Sequence, residues 1–253
     1  MPSDRYVIAP ERAAQSRAPD RRANRLLAAL STREFAVLEP HLATVALTRG
    51  QVLFEPGDEV TTTYFPCHRT MASLLIVTRD GREVEAATIG REGAVGGIVS
   101  EGQKPAFGRA VVQIAGEALA ISTSHLEAAK TGSSRFADLF SRYADALLAQ
   151  MMQSVACNAL HRADERCARW LLATHDRAGD RIIHLTQESL AEMLGVQRTT
   201  VTAVTGELAA RGLIRTHRGR VEILDRPGLE RAACECYAAV EGHFARLLPE
   251  VDV

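Results

Sequence analysis

The sequence predicts an α+β chain: short antiparallel strands forming a sandwich or roll, then one long helix, then a winged helix-turn-helix near the C-terminus. Three observations carry this expectation. Between Thr44 and Ser122, β-rich runs alternate with turn signals. From Ser133 the apolar residues recur at spacings of three and four. Between Leu185 and Leu224, two short apolar-striped helices flank a glycine and lead into a basic hairpin.

The strands are expected at Val45–Leu47, Val52–Phe54, Ser73–Thr78, Glu83–Ile89, Ala110–Ile114 and Ala118–Ile121. Arg49-Gly50, Pro56-Gly57-Asp58, Asp80-Gly81 and Gly90-Arg91-Glu92-Gly93 punctuate them. Before them, Ser31 and Glu34 stand at capping-box spacing and open a helix to about His41. The long helix carries Phe136, Leu139, Phe140, Tyr143, Leu147, Met151 and Val155 on one stripe and runs to about Ala159, roughly 40 Å at 1.5 Å per residue. The first part of that stripe can cover its own domain, and the far end then meets a second copy of the chain. Phe140, Tyr143, Leu147, Met151 and Val155 are the residues expected at such a dimer contact. The alternative is a helix packed wholly within one subunit. A further helix, about Ala163–His175, precedes a turn at Gly179 and a short strand, Arg181–Leu185.

Thr186 is a good N-cap; Leu190, Met193 and Leu194 form the buried stripe, and Gly195 suits the C-cap. The second helix buries Val201, Val204 and Leu208 and turns Gln197, Arg198, Thr199, Thr202 and Ala203 elsewhere. Its polar N-terminal end is free to enter a DNA major groove. Arg215–Arg220 and Val221–Leu224 form the wing, with Gly219 at its tip. Arginines gather on the turn, the start of the second helix and the wing, where phosphates would lie. The DNA-binding set is therefore Thr186, Gln197, Arg198, Thr199, Thr200, Thr202, Arg218 and Arg220. After Pro227-Gly228, one amphipathic helix is expected over about Leu229–Leu248. It could pack on the head or add to a dimer contact.

Composition sets bounds. At 253 residues, 46% hydrophobic and 24% charged, the chain suits two modest domains, and a net charge of −1 argues against non-specific coating of DNA. Met1–Arg25 is polar and arginine-rich without an apolar block, so a cytoplasmic protein with a loose N-terminal tail is expected. Five cysteines (Cys67, Cys157, Cys167, Cys234 and Cys236) include no CxxC pair. Cys234 and Cys236, two apart inside the expected C-terminal helix, would point to different faces, so no metal site and no cofactor is assigned. Cys157 and Cys167 bracket the joint between long helix and head, where a redox input is conceivable. No catalytic residues are assigned and the chain is not read as an enzyme: a cupin-like site needs several histidines on adjacent strands, and Thr44–Ser122 offers only His68.

In order and motif the chain resembles the Crp/Fnr superfamily of bacterial transcription regulators from about residue 25 to 225. The resemblance is most specific in LTQESLAEMLGVQRTTVTAVTGELAARGLI and in GREGAVGG ahead of GRAVVQIAGEALAIS. It implies a β roll of cyclic-nucleotide-binding-like type over 25–132 after a flexible tail at 1–24. A long dimerisation helix at 133–160, a winged helix-turn-helix at 161–226 and a helical extension at 227–253 would follow. The implied molecule is a homodimer that binds a palindrome and touches RNA polymerase, with no membrane association. The base-reading positions of the family fall on Arg198, Thr199, Thr202 and Ala203, with Thr199 and Ala203 replacing a glutamate and a second arginine of the nucleotide-responsive members. The effector pocket would hold Gly93, Ala94, Gly96, Gly97 and Arg109. Ala94 stands where those members have a ribose-binding glutamate. Arg109 lies one residue from the phosphate-binding arginine's place, which turns a strand side chain to the other face. Cyclic AMP is therefore not the expected effector, and none is assigned. The competing function is a small-molecule-responsive scaffold that acts through protein partners.

Overall fold

The computed structural model describes residues 20–249. The expected tail at 1–24 lies mostly outside them. Its last five residues are ordered, however: Asp20 caps a 3-10 turn at Arg21–Ala23, and Asn24 is fully buried. Asn24 caps α1 (Arg25–Ala28) and donates to the carbonyls of Pro66 and Gly93, so the chain enters the domain already anchored. Ser31 caps α2 (Thr32–Leu38) in a complete capping box with Glu34. Ser133 Oγ adds a third hydrogen bond to Glu34, at 3.0 Å.

Two antiparallel sheets form the roll. One orders β1 (Ala43–Leu47), β7 (Gly116–Ser122) and β3 (Thr62–Pro66). The other orders β2 (Val52–Phe54), β6 (Arg109–Ile114), β4 (Met71–Val77) and β5 (Glu83–Ile89). Phe65, Leu119 and Ile121 from the first sheet share one core with Ala72, Ile89 and Ala110 from the second. β3 is a strand the sequence pattern did not announce. α3 (Thr123–Gly132), likewise unannounced, leads into α4 (Ser134–Leu160).

α4 closes the roll. Phe136, Phe140, Tyr143 and Leu147 are buried in the roll core, with Phe65 and Phe140 meeting edge to face at 6.2 Å. This corrects the expected dimer contact: Phe140, Tyr143 and Leu147 already cover their own domain, and Met151 is half-buried. Leu160 (78%) is exposed at the end of α4, and Val155 (71%), a member of the expected contact, is exposed together with Leu148 (52%) and Met152 (65%). Leu148, Met152 and Val155, spaced by four and three, make a second stripe.

The head follows as α5 (Ala163–Ala178), β8 (Ile182–Ile183), α6 (Gln187–Leu194), α7 (Arg198–Ala210), β9 (Ile214–His217) and β10 (Arg220–Ile223), the strands ordered β8-β10-β9. It packs on the roll. Met71 and Leu75 of β4 enter the head's core beside Trp170, Leu171 and Leu190, while Ala72 belongs to the core of the roll. β4 is thus covered on both faces over Met71–Leu75, with Leu74 half-buried. Trp170 Nε1 donates to Glu85 at 2.9 Å, and the buried guanidinium of Arg177 donates to Glu92 at 2.8 Å.

The single C-terminal helix expected over Leu229–Leu248 is two helices, α8 (Arg226–Ala232) and α9 (Cys236–Leu247). Ala233 is extended, with ψ 153, and breaks the run. α9 packs along α4 and touches α5 of the same chain. Among the described residues no helix is long and apolar enough to cross a membrane.

Candidate nucleic-acid interface

Local chemistry fixes the helix-turn-helix. Thr186 Oγ1 accepts from the Ser189 amide at 3.1 Å, satisfying a free donor at the start of α6. Gly195 takes φ 62, the left-handed conformation a Cβ disfavours, and ends α6. The chain re-enters a helix three residues later. Gln197 is the N-cap of α7 and makes no side-chain cap bond, which leaves its amide unused.

Val201, Val204, Thr205 and Leu208 bury the inner face of α7, while Gln197, Arg198, Thr199, Thr202 and Ala203 are exposed and Thr200 is half-buried. The Arg198 side chain is 68% exposed, and its nearest carboxylate, Glu188, stands 3.8 Å away on an equally open surface. Such a pair is weak and easily exchanged for a phosphate or base. Thr202 Oγ1 donates to Gln187 Oε1 at 2.9 Å, bridging the two helices. In the wing, Gly219 takes φ 74 at the tip, with Arg218 and Arg220 exposed on either side. Arg215 pairs across the hairpin with Glu222 at 3.2 Å. The structure thus exposes Gln197, Arg198, Thr199, Thr202, Arg218 and Arg220 on the head, with Thr186 serving as the cap.

Several of the expected effector residues are engaged by other parts of the chain. Arg109 is engaged by Glu55 at 2.9 Å and by Glu83, so its charge is already matched by two carboxylates. The glycine loop is closed by protein contacts instead. Tyr143 Oη donates to the carbonyl of Ala94 at 3.0 Å, and a Cβ on Gly93 would collide with the Tyr143 ring. Gly96 and Gly97 both take positive φ, and Ala94 is buried. Burial also raises the Tyr143 phenol pKa, which keeps this donor protonated.

Cys167 is fully buried, and burial pushes its thiol up to about 12. It is an unreactive core residue rather than a redox partner for Cys157. Cys157 instead faces Cys234, Cys236 and His161. The expectation that Cys234 and Cys236 diverge fails because neither lies in the interior of a helix.

Residues 165–232 match the Crp-like helix-turn-helix domain. A transcriptional regulator, SdrP of Thermus thermophilus, is 35% identical over 92 residues, covering 34% of this chain. That match spans 46% of the relative, so the chain aligns with about half the length of the curated protein it matches. Among solved structures, FixK2 of Bradyrhizobium japonicum superposes with a TM-score of 0.66 at 16% identity, covering 76% of this chain and 98% of that one. CLP of Xanthomonas campestris, described as a c-di-GMP-responsive global regulator, gives 0.60 at 18% identity, covering 77% and 100%. The chain has the fold of Crp/Fnr-type transcription regulators. The match to the Crp-like helix-turn-helix domain falls on residues 165–232, and the resemblance seen in the sequence extends to the architecture.

Proposed function

We propose that the chain is a homodimeric, sequence-specific DNA-binding transcription regulator that reads a palindromic site through α7, touches RNA polymerase and is not controlled by cyclic AMP. The observation that carries this reading is the exposed N-terminal end of α7, where Arg198 stands on a polar surface framed by an arginine-bearing wing. A guanidinium there can take both acceptors of a guanine edge, while Thr199 offers a hydroxyl and a methyl to a neighbouring pair. The exposed stripe of Leu148, Met152 and Val155 supports the dimer: a second copy covers it and sets two reading helices about one duplex turn apart, roughly 34 Å. The contacts of Arg109, Ala94 and Tyr143 support the exclusion of cyclic AMP. The exposed arginines favour this reading over a scaffold for protein partners.

Selection of bound sequences from a random DNA pool tests the reading. A two-fold symmetric site should emerge. Arg198→Ala should relax one G·C position per half-site, by about 1–3 kcal/mol of discrimination. An unchanged preference would remove Arg198 from base reading, and no enrichment would remove the function. Calorimetric titration with cyclic AMP and cyclic di-GMP tests the effector statement, which tight binding of cyclic AMP overturns.

A further inference from the structure

Two distant parts of the chain return to one point. Cys157 lies on the last turn of α4, and His161 caps that helix four residues later on the same side. Cys234 and Cys236 come from the connection between α8 and α9. The donor atoms of these four side chains all lie within 4.8 Å of one another. Cys157 Sγ and Cys234 Sγ are 3.5 Å apart, and Cys236 Sγ is 3.4 Å from His161 Nδ1. Zinc–sulfur bonds of about 2.3 Å set tetrahedral thiolates roughly 3.8 Å apart, so the cluster has the dimensions of a single ion's cage.

We propose that Cys157, His161, Cys234 and Cys236 bind one tetrahedral Zn²⁺ ion that clamps α9 to α4 at the joint between the long helix and the DNA head. The surroundings match a metal centre beyond its ligands. His161 Nε2 faces Glu235 Oε1 at 3.2 Å, the carboxylate partner that fixes a ligating imidazole and leaves Nδ1 for the metal. Gln153 Nε2 donates to Cys236 Sγ at 3.0 Å, as an amide does to a bound thiolate. Cys236 is the first residue of α9, where the helix dipole favours negative charge.

Arg166 and Arg169 lie within electrostatic reach of Cys157, and the Nε of each is buried without a partner. Three thiolates and one neutral imidazole around a dication leave a net negative charge, which these guanidinium groups offset. Three cysteines with a histidine are a ligand set of structural zinc, and the closeness of the donors leaves no space between them for a multi-iron cluster. A Cys157–Cys234 disulfide would use only two of the four donors and would require the sulfurs to approach to about 2.05 Å.

The test uses the full chain, purified under reducing conditions without chelator. Metal analysis should find one zinc per chain. Replacement by Co²⁺ should give the visible ligand-field bands of a tetrahedral thiolate site. Cys234→Ser and Cys236→Ser should each weaken zinc binding by more than the roughly 10–100-fold expected of Glu235→Ala, which removes only the histidine's carboxylate partner. Cys67→Ser, whose thiol lies in the roll, should keep the full complement. Zinc removal should speed amide exchange in α9 while α7 keeps its protection. Because the cobalt spectrum is read on the parent chain, a variant that fails to fold leaves the test intact. A reduced parent chain without zinc and without the cobalt bands overturns the proposal. So does a different metal in the site, or a Cys157–Cys234 disulfide in the reduced, freshly purified protein.

Discussion

Glu34 shows how one side chain ties local structure to stability. Its carboxylate accepts from the Ser31 amide at 2.9 Å, from the Ser31 hydroxyl and from Ser133. The Ser31 hydroxyl and amide, chiefly, hold its pKa below the usual carboxylate value. A depressed folded pKa adds stability that is complete above the ordinary glutamate range and disappears as the pH falls through the lower folded value. Ser31→Ala should therefore destabilise the chain by about 0.5–2 kcal/mol at neutral pH. Denaturant titrations at several pH values should show the loss shrinking in acid, and a pH-independent loss would assign it to the hydrogen bond of the Glu34 amide in the box and not to the carboxylate. Ser31 and Glu34 were legible in the sequence because a capping box is written within four residues. The cysteine cluster was not, because it depends on the packing of α9 against α4 and on the backbone of Ala233, neither of which has a local signature.

At the level of elements, punctuation predicted more than periodicity did. Val52–Phe54 and Glu83–Ile89 fall where their turns place them, and Thr186 and Gly195 bound α6 as their chemistry requires. β3 escaped because Thr62–Pro66 carries two threonines and ends in proline, with no alternation to mark it. α3 escaped because Leu126 is its one large apolar residue. The stripe on α4 was real and its first part covers the roll as expected, but Phe140, Tyr143 and Leu147 were assigned to a dimer contact: period alone does not say how far an apolar face is covered by its own domain. The wing offers a prediction at this scale. Arg218 lies in the two-residue turn with Gly219, Arg220 follows it, and both are exposed, so each can neutralise one phosphate. Arg218→Ala and Arg220→Ala should each reduce the slope of log K against log salt by about 0.9, with little change in sequence preference. A fluorescence-anisotropy salt series that kept its slope would detach the wing from the backbone contact.

For the whole molecule, the proposed dimer makes the second stripe on α4 the place to test assembly. Leu148→Glu with Met152→Glu places charges on the exposed face and leaves the buried Phe140 and Tyr143 untouched. Sedimentation should shift from dimer to monomer while the thermal transition of the protomer persists. Binding to a full palindrome should fall by about 10²–10⁴-fold, the advantage lost when two half-sites no longer engage together. A variant that stays dimeric would place the contact elsewhere. The order of roll, long helix and head was legible from the sequence, but the seating of the head on the roll was not. It rests on Trp170, Arg177 and Met71 meeting partners far away in the chain.

The double burial of β4 limits how this molecule can move. A head that swung away on the α4–α5 joint would strip Met71, Leu75 and Trp170 of their cover at about 25 cal/mol for each Å² wetted. It would also break the buried ion pair of Arg177 with Glu92. Free hinging is therefore expensive, and heating should dissolve roll and head in one cooperative step. In the proposed dimer, any adjustment of the two reading helices to their spacing on DNA would then come from sliding or twisting between protomers, with each protomer turning as a solid piece.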